Sequence, residues 1–347
     1  MAPATASTST TSTLALLTPG LVVKNPRLVS KLTGRGSAGK TDERWNVVGT
    51  DLGISFEMDG RINMVFGDTW GRDGVEGAQW RTSTLGIVER HPEAGYIVTD
   101  MLKGADGNAK ELISALKKPK EEYTAVPTSA IAFGGRMYIH YMLVKDWEEQ
   151  WWGYKIPVVN GSGFAFSDDM GNTWTKHETA RWIGNSPYAM VSMVEHEGNI
   201  YVFGTGASRF GPLKLFRVPG EQLLEYDRYE YWNGAAWTRE PAEAAEVVGW
   251  PVGELSVRWS EYHEKWLMMY LNEVTHNIVL RTADSLTGPW GDERPVVHSD
   301  DYHSLYGPLM LPHIEGSDVY FAMSTFYGDY NVFIMKLTLE PATTTVP

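Results

Sequence analysis

The chain has 347 residues, of which 43% are hydrophobic and 21% are charged. This apolar share excludes an intrinsically disordered protein, because disorder requires low hydrophobicity together with a high charge per residue. The 30 Lys and Arg residues against 43 Asp and Glu residues give a net charge of −13, which argues against a nucleic-acid partner. No apolar run approaches the length of a membrane span, so we expect no membrane insertion, and the absence of cysteine excludes disulfides.

The N-terminal residues 1–20 are rich in Ser and Thr, which is typical of a flexible lead-in. Their apolar stretch at residues 14–17 is too short for a signal peptide, and no basic region precedes it. Residues 21–32 follow, and we predict that they add an outer strand to the last unit of the fold. At the other end of the chain, residues 341–347 are predicted to form a short tail.

Five segments along the chain repeat one pattern, in which a short turn joins two β-rich runs. The predicted turns are Asp59-Gly60, Gly134-Gly135, Glu197-Gly198, His263-Glu264 and Glu315-Gly316. Four of the five have Gly at the second position, where a positive φ costs least. The turns are spaced irregularly, yet always far enough apart for four short strands, as in the blades of a propeller. We therefore predict an all-β fold, a single five-bladed β-propeller over residues 21–340.

Two further turns and one helix complete the predicted elements. A tight turn in SGFAFSDDMGNTWTKHE has the pattern SxDxGxTW, which is known as an Asp-box in sialidase-like propellers and is structural. The pattern is formed by Ser167, Asp169, Gly171, Thr173 and Trp174. A related turn is predicted at Gly288-Pro289-Trp290. Residues 107–118, GNAKELISALKK, have apolar residues at helical spacing, so we predict a helix there within a loop of the first blade.

The first hairpin has an acidic residue at each end, Asp51 in VVGTDLG and Asp68 in VFGDTWG. Both ends of a hairpin lie at the same edge of the sheet, so we expect the two carboxyl groups to be neighbours at the central funnel. A two-residue loop at Asp59-Gly60 would place the acids opposite each other. A three-residue loop through Arg61 would offset them and gives better side-chain alternation. The sequence leaves two separations of the carboxyl groups open. A separation of about 5 Å is typical of retaining glycosidases, and one of about 7–9 Å is typical of inverting glycosidases.

A single Asp in such a place often does no more than cap the backbone amides of a turn. Two acids at one strand edge favour a sugar-cleaving site, in which one acid protonates the leaving oxygen while the other attacks or activates water. Three tryptophans nearby in sequence, Trp45, Trp70 and Trp80, can offer apolar ring faces to the C–H groups of a sugar. The hairpin therefore predicts a glycosidase site.

The chain also resembles a known family through five motifs in the same order. The motifs are GTDLG (residues 49–53), FGDTWG (66–71), PTSAIAFGGRMYIHYM (127–142), FGTGASRFGPLKLFRVP (203–219) and YEYWNGAAW (229–237). Over about residues 46–337 the chain resembles the actinobacterial propeller family called domain of unknown function 4185, which is grouped as glycoside hydrolase family 183. This resemblance implies an endo-D-arabinanase that cuts the α-D-arabinofuranosyl backbone of mycobacterial arabinogalactan and lipoarabinomannan. It also implies that Asp51 and Asp68 are the catalytic aspartates.

Five other residues are predicted to bind substrate, from the funnel or from the loops of the first blade. They are Trp70, Arg81, Arg209, Glu254 and Tyr306. Arg209 lies in GTGASRFG, where it resembles an arginine of the family, and its two open roles are to hydrogen-bond substrate hydroxyls or to fix a loop. For Arg81, Glu254 and Tyr306 the alternative is a buried polar network between blades. We predict no cofactor and no metal, because the histidines lack the spacing of a metal site.

Two other functions stay open from the sequence. One is a non-catalytic carbohydrate- or receptor-binding propeller, and the other is a glycosidase with a different specificity, such as L-arabinan or fructan. D-arabinan lies outside the plasma membrane, so we expect the protein to be extracellular or virion-associated. Assembly into a phage tail is one route outside the cell that needs no signal peptide.

Overall fold

The computed structural model describes residues 20–151 and 154–342. The lead-in predicted for residues 1–20 lies outside this part of the chain except for Gly20, and so does the predicted tail from residue 343 onwards. The described residues form five antiparallel sheets arranged as a five-bladed β-propeller, which confirms the predicted fold. Within these residues no helix is both long and apolar enough to cross a membrane.

Each blade has an inner strand at the central axis and further strands outside it. Blade 1 consists of β2 (Leu52–Met58), β3 (Arg61–Phe66), β4 (Thr84–His91) and β5 (Gly95–Met101). Blade 2 consists of β6 (Thr124–Phe133), β7 (Arg136–Trp151), β8 (Tyr154–Ser167) and β9 (Thr175–Ile183). Blade 3 consists of β10 (Met190–His196), β11 (Asn199–Thr205), β12 (Gly211–Pro219), β13 (Glu230–Trp232), β14 (Trp237–Thr238) and β15 (Glu246–Val252). Blade 4 consists of β16 (Leu255–Ser260), β17 (Lys265–Asn272), β18 (Asn277–Ala283) and β19 (Arg294–His298).

The fifth blade combines strands from the two ends of the described chain. It consists of β20 (Leu305–Met310), β21 (Asp318–Thr325), β22 (Val332–Pro341) and β1 (Leu21–Lys31). β1 pairs antiparallel with β22, from Leu21 opposite Pro341 to Lys31 opposite Phe333. This pairing closes the ring and confirms the outer strand predicted for residues 21–32.

Three inner hairpins turn at the predicted residues, and the fifth turns one residue later than predicted, at Gly316-Ser317, because Glu315 pairs with Asp318. Asp59-Gly60, Gly134-Gly135 and Glu197-Gly198 are two-residue turns in which both residues have a positive φ, between 51° and 79°. Positive φ at both positions is what a type I′ hairpin turn requires. The fourth loop is longer because Ser260 pairs with Lys265, and the fifth loop runs from the end of β20 to the start of β21.

Serines connect neighbouring inner strands around the axis. In four blades the inner strand has a buried serine whose hydroxyl bonds to the backbone of an adjacent inner strand. The pairs are Ser129 with the Met193 N–H (2.9 Å), Ser192 with the Val257 N–H (3.2 Å), Ser256 with the Met310 N–H (3.0 Å) and Ser55 with the Met310 carbonyl (3.2 Å). Because a buried hydroxyl or amide without a partner is costly, these bonds fix the relative position of four of the five pairs of neighbouring blades.

The helix predicted over residues 107–118 is wrong. The backbone of this segment bonds to another segment instead of to itself: the N–H of Leu112 donates to the Ser83 carbonyl (3.1 Å), and the N–H of Ile113 donates to the Ser83 hydroxyl (3.3 Å). The adjacent side chains of Leu112 and Ile113 are both buried in the core. The one α-helix of the described residues is α1 (Thr41–Trp45).

The predicted Asp-box is confirmed as a structural turn between β8 and β9. Oδ1 of Asp169 accepts hydrogen bonds from the Thr173 N–H (2.8 Å) and from the Ser167 hydroxyl (2.8 Å). The indole N–H of Trp174 donates to the Gly171 carbonyl (2.9 Å). These bonds account for the residues of the motif without any catalytic role.

Candidate active site

The two acids lie at the open end of the first hairpin, on the face of the propeller where the inner strands begin. From the turn, β2 and β3 pair over most of their length in the register of the two-residue loop. A β-bulge at Gly53, where φ is 94°, then shifts the pairing by one position, and the N–H of Gly67 donates to the Asp51 carbonyl (3.1 Å). The three-residue loop through Arg61 is therefore wrong, and the bulge sets Asp51 opposite Gly67, next to Asp68.

Gly67 makes room for the carboxylate of Asp51. A Cβ added at Gly67 would overlap Oδ1 of Asp51, at a distance that real Cβ atoms essentially never show. Gly67 does not have a positive φ, so this position requires glycine for space and not for its backbone conformation. The motif FGD therefore places the carboxylate of Asp51 over the backbone of Gly67, the residue that precedes Asp68.

Asp51 has only a limited opening to solvent. Its Oδ2 accepts a hydrogen bond from the Tyr306 hydroxyl (2.8 Å), whereas its Oδ1 is buried and has no hydrogen-bond partner among the described residues. Burial raises the pKa of Asp51 from its ordinary value of 3.8 to about 6. The nearby hydroxyls of Tyr306 and Tyr330 favour the charged form and limit that rise.

Asp68 lies in a similar environment with different partners. Its Oδ1 accepts hydrogen bonds from the indole N–H of Trp80 (2.8 Å) and from the Thr124 hydroxyl (2.6 Å). Burial first, and then the negative charge of Asp51, raise the pKa of Asp68 from 3.8 to about 7, against the lowering effect of Thr124. The two acids therefore influence each other's ionisation, as expected for carboxyl groups that share one site.

A charged network reaches Asp51 from blades 3, 4 and 5. The guanidinium of Arg209 donates two hydrogen bonds to Oε1 of Glu254, from Nε (2.9 Å) and Nη2 (2.6 Å), and its Nη1 lies 3.7 Å from Oε1 of Glu273. The same guanidinium lies 5.3 Å from the ring centroid of Tyr306. Because Tyr306 bonds to Asp51, the structure brings three of the predicted residues together with one acid. Their contact with a substrate stays a prediction.

Trp70 lies within a group of aromatic rings, two of which contact or influence the acids. Its ring centroid is 5.8 Å from that of Trp80, which bonds to Asp68, and 5.8 Å from that of Tyr330, which influences Asp51. Trp70 and Tyr330 also line a cavity of about 360 Å³ between blades 1 and 5. A contact of Trp70 with substrate stays a prediction.

Arg81 bonds to the protein backbone. It is 7% exposed, and its Nη2 donates to the carbonyl of Asn46, the residue that follows α1 (2.8 Å). Its own backbone pairs with Thr69. These contacts give Arg81 a place in the polar network of blade 1, and a contact with substrate stays a prediction for this residue too.

Sequence reasoning missed two residues whose hydroxyl groups favour the charged forms of the acids, Thr124 for Asp68 and Tyr330 for Asp51. Thr124 begins the inner strand of blade 2, and it could have been found from the rule that inner-strand starts surround the funnel. Tyr330 lies in the loop between β21 and β22, where no local motif indicates it. Among the described residues no group of three or more His, Cys, Asp or Glu side chains is arranged to hold a metal ion.

A five-bladed propeller with two coupled carboxyl groups on one face has the fold that several glycoside hydrolases use. It is similar to the structure of a protein from Bacteroides ovatus, with a TM-score of 0.61 and 13% identity, over 85% of this chain and 86% of that chain. It is similar to a family 117 glycoside hydrolase of Zobellia galactanivorans, with a TM-score of 0.55 and 9% identity, over 92% and 91%. A GH43_1 enzyme of Xanthomonas citri gives a TM-score of 0.51 at 12% identity, over 85% and 88%. At such identities the likeness concerns the fold alone.

Residues 36–336 match the family described as domain of unknown function (DUF4185), and the chain belongs to that family. This confirms the family resemblance, whereas the grouping as glycoside hydrolase family 183 and the actinobacterial origin stay predictions. Notoamide biosynthesis cluster protein J of Aspergillus sp. (strain MF297-2) is 31% identical over 91% of this chain and 90% of its own length. Protein J' of Aspergillus versicolor is 31% identical over 86% of each chain.

Proposed function

We propose that the protein is an endo-acting glycoside hydrolase that cleaves α-D-arabinofuranosyl linkages in polymers such as mycobacterial arabinogalactan and lipoarabinomannan. The observation that carries this proposal is the pair of acids. Asp51 and Asp68 lie at the end of one hairpin and are largely buried, burial raises the pKa of both, and the charge of Asp51 raises that of Asp68 further. The family resemblance supplies the substrate class.

Asp68 supplies the proton in this proposal. Burial and the negative charge of Asp51 both raise the pKa of Asp68 and so favour its protonated form, whereas Tyr306 and Arg209 favour the charged form of Asp51. Trp80 and Thr124 both donate to Oδ1 of Asp68. The proton therefore resides on Oδ2, from which it is donated to the leaving glycosidic oxygen.

Asp51 acts as the ionised partner, either as the nucleophile or as the base that activates water. The hydrogen bond from Tyr306 stabilises its carboxylate, and the positive charge of Arg209 lowers its pKa further. The charge of Glu254 opposes this effect, and burial is the main reason that the pKa of Asp51 stays near 6. A base with a pKa close to the working pH is the efficient choice.

The direct test is to incubate the protein with D-arabinan prepared from mycobacterial arabinogalactan, and separately with L-arabinan, and to size the products by chromatography. We expect short oligosaccharides of mixed length from D-arabinan and none from L-arabinan. Asp51→Asn and Asp68→Asn should each lower the rate at least ~10²-fold, because they remove the proton chemistry but keep the size of the side chain.

The matched control is Asp59→Asn, at the turn of the same hairpin, where Asn tolerates the positive φ of 52°. It should keep the activity of the wild type. Free arabinose as the first and only product would overturn the endo assignment. Near-normal rates in both acid variants would place the chemistry elsewhere in the protein.

A second candidate function is the conversion of a small metabolite. It is favoured by the relatives at 31% identity, which are named as proteins of a notoamide biosynthesis cluster. The same two acids would then serve acid–base chemistry on that metabolite. A wild-type protein that leaves both arabinans intact would favour this candidate over the first.

The substrate of the main proposal also suggests a location. Polymers of this type lie outside the plasma membrane, so we propose that the protein acts as an extracellular or virion-associated enzyme. Assembly into a phage tail is one form of the virion-associated location, and detection of the protein in purified phage particles would test it.

A further inference from the structure

Seven aromatic rings form a continuous row across the face that holds the two acids. We call this set the aromatic row, and its members in spatial order are Tyr123, Trp80, Trp70, Tyr330, Phe326, Tyr327 and His303. Successive ring centroids lie 5.1, 5.8, 5.8, 6.1, 4.9 and 6.3 Å apart. The row therefore has no gap from the start of blade 2 to the outer loops of blade 5.

The aromatic row passes both acids. Trp80 donates a hydrogen bond to Asp68 (2.8 Å), and Tyr330 lies close enough to Asp51 to influence its pKa. Beyond Tyr330 the row continues through Phe326 to Tyr327, away from the reacting groups. The outer rings thus continue the same series of ring contacts from buried Trp80 to exposed side chains.

The outer end of the row is exposed to solvent. Phe326 is 56% exposed and Tyr327 is 67% exposed, although large aromatic side chains usually stabilise a protein by burial. Their loop is nevertheless held in place, because the N–H of Phe326 donates to the Ser304 carbonyl (3.1 Å) and the N–H of Tyr327 donates to the Ser304 hydroxyl (2.9 Å). The fold therefore presents these rings to water on an anchored loop, as expected of a binding surface.

We propose that Phe326 and Tyr327, with His303 stacked on Tyr327, form a distal carbohydrate-binding subsite for a polymeric substrate. The inference deepens the proposed function and rests on it for the identity of the sugar. Aromatic faces suit the C–H groups of a sugar, and the hydroxyl of Tyr327 and the ring nitrogens of His303 can bond to its hydroxyls. The continuity of the row commits the subsite to the same chain that lies across Asp51 and Asp68.

The test uses the double variant Phe326→Ala/Tyr327→Ala and two substrates, mycobacterial D-arabinan and a short D-arabinan oligosaccharide that reaches only the acids. We expect the ratio of kcat/KM for the polymer to kcat/KM for the oligosaccharide to fall about tenfold, which matches the loss of two ring contacts. The matched control is Tyr262→Ala, since Tyr262 is 66% exposed but lies in the β16–β17 loop, away from the row.

Binding is measured separately from turnover, by affinity electrophoresis in gels that contain D-arabinan. The two proteins compared are Asp68→Asn and the triple variant Asp68→Asn/Phe326→Ala/Tyr327→Ala. Weaker retardation of the triple variant supports the subsite. If the wild type cleaves D-arabinan and the double variant shows an unchanged ratio, the subsite is wrong while the proposed function stands. If the wild type binds D-arabinan through these rings without cleaving it, the proposed function fails and the subsite stands.

Two further outcomes overturn the subsite. A wild type that neither binds nor cleaves D-arabinan removes the substrate class on which both inferences rest. A change of oligomeric state in the double variant, measured by sedimentation against the wild type and Tyr262→Ala, would show that the exposed rings contact a second copy of the chain.

Discussion

Asp68 shows at the scale of one residue how a site can reduce the stability of the fold that holds it. A buried carboxylate is unfavourable unless its partners replace the lost water. The hydrogen bonds from Trp80 and Thr124 replace the lost water only in part, because the pKa of Asp68 still rises to about 7. Folding therefore favours the protonated acid, and the ionised form reduces the free energy of unfolding.

We expect Asp68→Asn to be more stable than the wild type at pH 8 and nearly equal to it at pH 4. The folded-state pKa of Asp68 is about 7 and its unfolded value is near 3.8, so the wild type loses stability as the pH rises through this window. Asn stays neutral and keeps Oδ1 as an acceptor for both hydrogen bonds. Melting temperatures of the two proteins at pH 4 and pH 8 measure the difference.

The control for this prediction is Asp169→Asn in the Asp-box. Hydrogen bonds from the backbone and the side chain of Thr173 lower the pKa of Asp169, so its charged form stabilises the fold. This variant should therefore be less stable than the wild type at pH 8, which is the opposite sign. An equal change of melting temperature for Asp68→Asn at both pH values would contradict the buried-charge account.

The acids could be predicted from the sequence because both belong to one hairpin, whose ends must meet whatever the rest of the chain does. The residues that bond to the two acids could not be predicted in the same way. Tyr306 lies 255 positions from Asp51, and only the closed ring brings the two together. The sequence places Arg209, Glu254 and Tyr306 near the funnel, but it cannot tell that Arg209 bonds to Glu254 instead of facing open space.

At the scale of the element, the β-bulge in the first hairpin sets the position of Asp51. Sequence alternation alone favours a longer turn, since it assumes a regular ladder. The structure keeps the short turn and places the irregularity at Gly53, where a positive φ is tolerated. The shift sets the Asp51 carboxylate over Gly67. The geometry of the site therefore depends on Gly53 and Gly67, which have no functional group that could take part in the reaction.

Gly67→Ala should lower kcat about tenfold or more with a smaller effect on folding. Its Cβ would overlap Oδ1 of Asp51, and even a shift of ~1 Å in a catalytic group is enough to cost up to ~10²-fold in rate. Gly249→Ala is the control, because a Cβ there meets nothing within 4 Å. Rates and melting temperatures of both variants check the prediction, and full activity in Gly67→Ala would contradict it.

The segment of residues 107–118 shows why local helical spacing misled the prediction. Its apolar residues fit a helical stripe, but the neighbouring strands of blade 1 offer unpaired backbone groups, such as the carbonyl of Ser83. Bonding to these groups buries Leu112 and Ile113 together. Tertiary contacts therefore outweighed a weak local preference, as they commonly do for short segments.

For the whole molecule, the number of blades could be predicted because each inner hairpin has its own turn signal. The arrangement of the blades relative to one another depends on contacts that no single repeat reveals. The serine bonds between inner strands are one example, since Ser129 and Ser192 become recognisable as a series only when the strands are aligned in space. Ring closure by β1 could be predicted because only residues 21–32 remained to complete the last blade.

Removal of residues 1–31 should lower the melting temperature by at least about 5 °C, whereas removal of residues 1–19 should have little effect. The longer deletion takes away β1 and uncovers the outer edge of β22, including the buried Leu339. Thermal unfolding of the two shortened proteins, with light scattering to detect association through the free edge, checks the expectation. Equal melting temperatures would show that β1 does not stabilise the ring.

The pairing of β1 with β22 also determines when the ring can close during synthesis of the chain. β1 leaves the ribosome before the other strands of the propeller and β22 leaves after them, and at about 5–20 residues per second the interval is roughly 15–60 s, whereas a hairpin forms within microseconds. We therefore expect the early blades to form an open arc during that interval, with β1 unpaired. The acids of the first hairpin are made before blades 2 to 4, yet they meet Tyr306 and Tyr330 only after blade 5 has been made.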